Sequence, residues 1–201
     1  MTSNLRTLIF SLVFLGFIRA GELDIGSTIP LPDYKMKDIS GQEISLNNAA
    51  GSKGLLVIFS CNTCPWVTAW EDRYLSLTDT YMPKGIGMIA VNSNEAYRSS
   101  GDGLADMKAR ATDLGYSFYY ALDENSRLAT AFGATRTPHI FLFDEKGKLV
   151  YRGAIDDNAR HAEKVKKAYL SNAIDDMLEG RPLTVTSTKA LGCAIKFSEQ
   201  L

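Results

Sequence analysis

Leu55-Leu56-Val57-Ile58-Phe59-Ser60-Cys61-Asn62-Thr63-Cys64-Pro65-Trp66 is the stretch whose reading decides the fold. Its first half is a short, uniformly apolar run, which suits a central strand buried on both faces. Its second half carries two cysteines two residues apart, followed by a segment of helical character. Pro65 falls where the first helical turn has no use for an N–H. A thiol pair at this junction can close into a disulfide and reopen. The first sulfur, Cys61, is expected at a helix N-terminus, where free N–H groups and the helix dipole favour thiolate over thiol. Thiolate is the attacking species in disulfide exchange. Cys61 is therefore expected to be the more exposed and more acidic thiol, with Cys64 a turn further in.

Outward from this stretch the pattern alternates. Two short strands flank the turn at Ser40-Gly41, the second over Gln42–Leu46. A helix follows the cysteines through Tyr74 and Leu77 and stops before Pro83. Gly87–Val91 reads as a second buried strand. Leu104, Met107, Ala111 and Leu114 are spaced for one helix face, with Gly115 as the stop. Phe118–Leu122 is a short strand and Leu128–Phe132 a short helix. His139–Phe143 and Leu149–Arg152 form a hairpin about the turn at 144–148. A last helix is expected from about Ala159 to Glu179, with Asp156 and Asp157 capping its start, and an extended tail over Leu183–Leu201. Strand–helix–strand units closed by a hairpin and helix imply an α/β fold, a mixed central β-sheet with helices on both faces.

The 201 residues are 45% hydrophobic and 22% charged, enough for one well-formed core, and the net charge of −1 gives nothing that points to nucleic acid. Arg6, the apolar run Leu8–Ile18 and the small residue Ala20 read as a secretory signal peptide over 1–20, cut before Gly21. That run is short for a membrane span, which needs about 20 residues. The mature chain, 21–201, is then one domain, periplasmic or secreted, with no stable membrane insertion. All three cysteines, Cys61, Cys64 and Cys193, lie in it, too few for a disulfide scaffold and odd in number. A zinc site would need two more ligands, and only Cys193, His139 and His161 are on offer, at irregular spacing. Thr137-Pro138 opens the His139 strand. It is either a plain strand-start proline or a cis-proline turn facing the thiols.

Taken together, Cys61–Trp66, Thr137-Pro138 and Phe141-Leu142-Phe143-Asp144 resemble the thioredoxin fold. Ile29-Pro30-Leu31-Pro32-Asp33-Tyr34, Gly41 and Ile44-Ser45-Leu46 resemble its redoxin branch, which contains the peroxiredoxins. Closer still is a peroxiredoxin-like group with motifs matching Cys61–Val67, Tyr151–Asp157 and Gly192–Lys196. The resemblance spans roughly Ile29 to Lys196. It implies Cys61 as attacking and Cys64 as resolving cysteine, and Thr137 with a cis Pro138 shielding the pair and aligning substrate backbone. No dissociable cofactor is implied beyond the redox disulfide. The partners would be a protein thiol or disulfide substrate and a redox partner. Peroxiredoxins have their peroxide-attacking cysteine where Cys64 sits, with a threonine at the position of Cys61, a proline near Val57 and an arginine near Pro138. This chain has none of those three.

Thiol–disulfide exchange is thus the expected function. A thiol peroxidase is the first alternative. The second is a module binding copper or a client, with Cys61, Cys64 and His139 as copper ligands. Arg136 reads as a solvated turn charge. Glu71 and Asp72 are proton-transfer candidates by proximity alone. Trp70 reads as core and Trp66 as part of an apolar surface at the cysteines. Cys193 is either a small buried hydrophobe or a third redox thiol brought beside the pair, Gly192 permitting close backbone approach.

Overall fold

The computed structural model describes residues 21–198; the signal peptide read over 1–20 lies outside the described residues. Among the described residues there are nine strands and five α-helices: β1 (Met36–Asp38), β2 (Glu43–Ile44), α1 (Leu46–Ala49), β3 (Gly54–Ser60), α2 (Pro65–Tyr81), β4 (Ile86–Asn92), α3 (Leu104–Leu114), β5 (Tyr119–Leu122), α4 (Arg127–Phe132), β6 (Arg136–Thr137), β7 (His139–Asp144), β8 (Leu149–Gly153), α5 (Tyr169–Leu178) and β9 (Cys193–Ala194).

Seven strands make one sheet in the order β2-β1-β5-β4-β3-β7-β8. β3, β4 and β5 run parallel; β7 pairs antiparallel with β3 and β8, and β1 with β5 and β2. β3 is central and buried at every position, which is why its sequence shows no alternation. Its side chains still divide between two cores by the period of two. Leu56 and Ile58 pack with Trp70, Tyr74 and Leu77 of α2, Met107 of α3 and Ile174 of α5. Leu55, Val57 and Phe59 pack on the opposite face with Leu46 of α1 and Leu128 and Phe132 of α4. The expected mixed sheet with helices on both faces, a thioredoxin-like fold, is what forms.

The end of the chain departs from expectation. The last helix starts at Tyr169, not near Ala159, and its N-cap is Ala168. Asp156 and Asp157 do not cap it. Asp156 is buried and accepts hydrogen bonds from Trp70 Nε1 at 3.3 Å and Arg73 Nε at 3.2 Å, fixing β8's exit against α2. Asp157 accepts from the Lys166 N–H at 2.9 Å and its own N–H bonds Lys167 O at 3.2 Å, closing 157–167 into a loop. An aspartate can satisfy a distant backbone N–H as readily as a helix terminus, so the acid pair alone did not locate the helix.

Beyond α5 the tail is extended, as expected, and is pinned at successive points. Thr186 O accepts from Arg152 N and Thr188 N donates to Arg152 O, both at 3.0 Å. Gly153 (φ +133°) leaves room for Thr188, whose carbonyl oxygen would lie 2.3 Å from any Cβ there. Further on, β9 pairs antiparallel with β6, Cys193 opposite Thr137 and Ala194 opposite Arg136.

Candidate active site

The cysteine pair sits where β3 gives way to α2. Helix α2 begins at Pro65, so Cys64, not Cys61, is its N-cap residue. Both thiols are buried, Cys61 1% and Cys64 3% exposed. This corrects the sequence expectation. Cys61 is still in the loop leaving β3, remote from the helix's free N–H groups, while Cys64 stands at them.

Opposite the pair is Thr137, whose bond to Pro138 is cis. Its hydroxyl Oγ1 lies 3.3 Å from Cys61 Sγ, and its carbonyl oxygen accepts from Cys64 Sγ at 3.2 Å. One buried residue thus touches both sulfurs, one through its side chain and one through its backbone. Pro138 follows it as the residue that turns the chain into β7.

The third cysteine joins them. Cys193 packs against the core cluster containing Cys61 and Cys64, near enough to Cys64 for each thiol to bear on the other's titration. Gly192 makes this possible. A Cβ there would lie 2.2 Å from the Thr137 carbonyl oxygen, so only glycine lets the tail approach. Of the three thiols Cys193 is the least buried.

These contacts divide the protons unequally. The Cys61 thiol, hydrogen-bonded to Cys64, lowers the Cys64 pKa, and Cys193 and the Val67 N–H add to this against the cost of burial. Cys61 is pushed above the ordinary thiol range, first by that same hydrogen bond, then by burial and by the negative charge of Asp102. Cys193 is raised, chiefly by burial and by its proximity to Cys64. The two cysteines titrate as a coupled pair, with the Cys64 thiol shifted down and the Cys61 thiol shifted up.

Asp102 was not singled out in the sequence. It is fully buried behind the cysteine loop. Its carboxylate accepts from the Asn62 N–H at 2.7 Å, Thr63 Oγ1 at 2.7 Å, Asn92 Nδ2 at 2.9 Å and Asn94 Nδ2 at 2.9 Å. Asn62 also donates through Nδ2 to Gly101 O at 2.8 Å and accepts from Tyr120 Oη at 2.9 Å. Both residues between the cysteines are therefore anchors. Gly101 (φ +107°) sits close under Thr63: a Cβ there would lie 3.0 Å from the Thr63 methyl. The signal available in sequence was an acid between two glycines, Gly101-Asp102-Gly103, ahead of a helix. Nothing local ties it to cysteines some 40 residues earlier.

Other candidates fall away from the site. Glu71 is committed to Arg110 (Nε–Oε1 2.7 Å, Nη2–Oε2 2.6 Å) and Tyr116, and Asp72 pairs with Arg73 beside solvent. His139 pairs with Phe59 in register and stacks on Phe141, on the sheet face opposite the cysteines, with Glu22 Oε1 2.6 Å from its Nε2. It does not meet Cys61 or Cys64 to complete a copper site. His161 lies exposed in the 157–167 loop beside Glu163. Among the described residues no group of three His, Cys, Asp or Glu side chains is placed to hold a metal ion. Arg136 is exposed and donates to Gly192 O at 3.4 Å. Trp70 is core; Trp66 is 37% exposed at the helix start beside the thiols.

Comparison with known proteins gives the family. The Redoxin family model matches residues 26–170. The chain belongs to the Redoxin family. It is 26% identical over 132 residues to the thiol-disulfide oxidoreductase ResA of Halalkalibacterium halodurans, 66% of this redoxin and 66% of that protein. Two solved structures superpose over most of the chain. One, an uncharacterized conserved protein from Geobacillus kaustophilus, has TM-score 0.82 and 33% identity, covering 89% of this chain and 94% of that one. The other, a hypothetical protein from Sinorhizobium meliloti 1021, has TM-score 0.81 and 30% identity, covering 90% and 98%.

Proposed function

We propose that this redoxin is an exported thiol–disulfide oxidoreductase whose working couple is Cys61–Cys64, acting on protein thiols or disulfides. The observation that carries the reading is geometric: two adjacent buried thiols face the cis Thr137-Pro138 bond, Cys61 Sγ 3.3 Å from the Thr137 hydroxyl and Cys64 Sγ 3.2 Å from its carbonyl oxygen, with Cys64 at the α2 N-cap and its pKa lowered. Cys64 is then both the better nucleophile at neutral pH and the better leaving group, since a low-pKa thiol departs readily. Closing the pair to a disulfide releases two electrons and two protons to a client disulfide, and reopening takes them from a client dithiol. The chemistry needs no dissociable cofactor. Thr137 aligns the sulfurs from both sides, and Pro138, without an N–H, leaves no competing donor over them.

Reduction of a disulfide-bonded protein such as insulin by the pre-reduced redoxin tests this. Cys64→Ser abolishes the activity; a wild-type protein that leaves insulin intact refutes it. The exported location follows from the Arg6–Ala20 signal pattern. N-terminal sequencing of protein recovered from the exported fraction should begin at Gly21.

A thiol peroxidase is the second reading, favoured by one observation, the placement of Cys64, its pKa lowered, at the helix N-cap. Against it, position 57 is a buried valine, position 61 a cysteine, and no arginine stands at 138. A peroxide O–O bond needs positioned donors around the sulfur to break. Peroxide consumption by the reduced protein above the level of a free-thiol control would favour the peroxidase.

A further inference from the structure

We propose that Cys193 is the relay thiol of this site, carrying electrons between the buried Cys61–Cys64 couple and protein clients; the inference rests on the exchange chemistry proposed above. Three independent observations lead there. The first is access. Cys61 and Cys64 are 1% and 3% exposed, and Cys193 is the more open thiol. The second is placement. Cys193 stands opposite Thr137 in the β6–β9 register and packs, half-buried, on the cluster that contains Cys61 and Cys64. The Trp66 N–H faces Cys193 as the Val67 N–H faces Cys64, so the first two N–H groups of α2 are divided between these sulfurs. The third is occupancy. β9 already uses the Arg136–Thr137 edge, and Ile195 N binds Thr135 O at 3.0 Å, so a client strand has no backbone to pair with there.

The tail is built to hold this position. Gly192 passes under the Thr137 carbonyl, where any side chain would collide. Ile195 is buried in the core on the far face of the sheet. Lys196 N donates to Asn94 Oδ1 at 2.9 Å, and Ala96 N donates to Lys196 O at 3.0 Å. Asn94 in turn donates to Asp102, which holds Asn62 and Thr63. The cysteine loop and the tail are thus fixed to one polar network.

The steps balance as follows. Cys193 gives its proton to solvent and attacks one sulfur of a client disulfide; that S–S bond breaks and the second client sulfur leaves as a thiolate that takes up a proton. Cys64 thiolate attacks Cys193 Sγ, the Cys193–client bond breaks, the client leaves reduced and is protonated, and a Cys64–Cys193 disulfide remains. Cys61 then loses its proton and attacks Cys64 Sγ, and Cys193 is released and reprotonated. The client has gained two electrons and two protons, Cys61 and Cys64 are joined, and Cys193 is unchanged. A protein dithiol recharges the enzyme by the reverse sequence, attacking Cys193 with Cys64 as leaving group.

Two measurements on the full chain test the relay. Reduced Cys61→Ser protein is treated with one equivalent of glutathione disulfide, quenched in acid, alkylated and mapped by mass. A Cys64–Cys193 linked peptide is expected; glutathione retained on Cys64 with Cys193 free overturns the relay. Cys193→Ser protein, checked for an unchanged urea midpoint, should reduce insulin more slowly than wild type by roughly tenfold or more, while its Cys61–Cys64 disulfide still forms. Wild-type rates in Cys193→Ser also overturn the relay but leave the exchange function standing. A wild-type protein that reduces no client overturns both.

Discussion

On the Asp102 side of the cysteine pair, one buried carboxylate collects short hydrogen bonds from Asn62, Thr63, Asn92 and Asn94. On the Thr137 side, the contacts are a hydroxyl, a carbonyl oxygen and a two-residue strand from the tail. A charged acceptor with four neutral donors fixes the residues between the cysteines and has no reason to rearrange. Neutral contacts to sulfur are weaker and exchangeable. The difference separates holding from the proposed reacting: the loop is set by Asp102, and the proposed exchange lies on the side where Cys64 faces Cys61 and Cys193.

The largest effect is expected from Asp102→Ala. It strands buried donors on Asn62, Thr63, Asn92 and Asn94 and should lower stability by about 3–5 kcal/mol, as breaking a buried charged network does. Asp102→Asn keeps the shape and part of the bonding and should cost less. Urea denaturation measures both. A loss below about 1 kcal/mol for the alanine variant would mean the loop is held by something else, and the comparison would break.

Gly192→Ala comes next. Its Cβ meets the Thr137 carbonyl, so the tail must shift, at about 1–3 kcal/mol by the usual scale of overpacking. Cys193 should then be alkylated faster than in wild type while Cys61 and Cys64 keep their rates. Equal rates at all three cysteines would show that the tail does not set the Thr137 side.

A smaller, graded effect is expected with pH. Unfolded, Cys61 and Cys64 both titrate near the ordinary thiol value of 9.0; folded, Cys64 titrates below it and Cys61 above. Between the folded Cys64 pKa and 9.0 the unfolded chain binds more protons, so reduced protein gains stability as pH rises. Above 9.0 the folded state keeps the Cys61 proton that the unfolded chain has lost, and stability falls again. Urea midpoints of wild type minus those of a Cys61→Ser/Cys64→Ser double variant should trace that rise and fall. A flat difference would remove the coupled titration. Ultraviolet thiolate absorbance, lost in Cys64→Ser, assigns the charge.

Trp66→Ala should change stability least, within about 0.5 kcal/mol for so exposed a side chain. It sharpens the comparison only through clients, raising the KM for insulin without altering the thiolate titration.

Much of this was legible in the sequence because it is local. The apolar run of β3, the Cys61/Cys64 spacing, Pro65 at the helix start and Thr137-Pro138 each declare themselves within a few residues. Cys193 was legible as a candidate because Gly192 preceded it in an apolar stretch. What was missed depends on partners far along the chain. Asp102 acquires meaning only when β4 and α3 carry it behind Asn62. Asp156 reads as a cap until Trp70 and Arg73 arrive from α2. The helix start differs from expectation by register: the helix begins one residue after Cys64, three residues later than a cap at Cys61 requires.

The position of β9 near the end of the chain also sets an order in time. Ribosomal synthesis delivers Cys61 and Cys64 long before Cys193, with 128 residues between Cys64 and Cys193. A nascent or truncated chain therefore holds a complete two-cysteine couple with its Thr137 edge uncovered. Such a chain is open to any extended segment with a cysteine in the right register. Synthesis through β9 closes that opening, so the molecule carries in its own β9 the competitor that covers the Thr137 edge against miscellaneous strands.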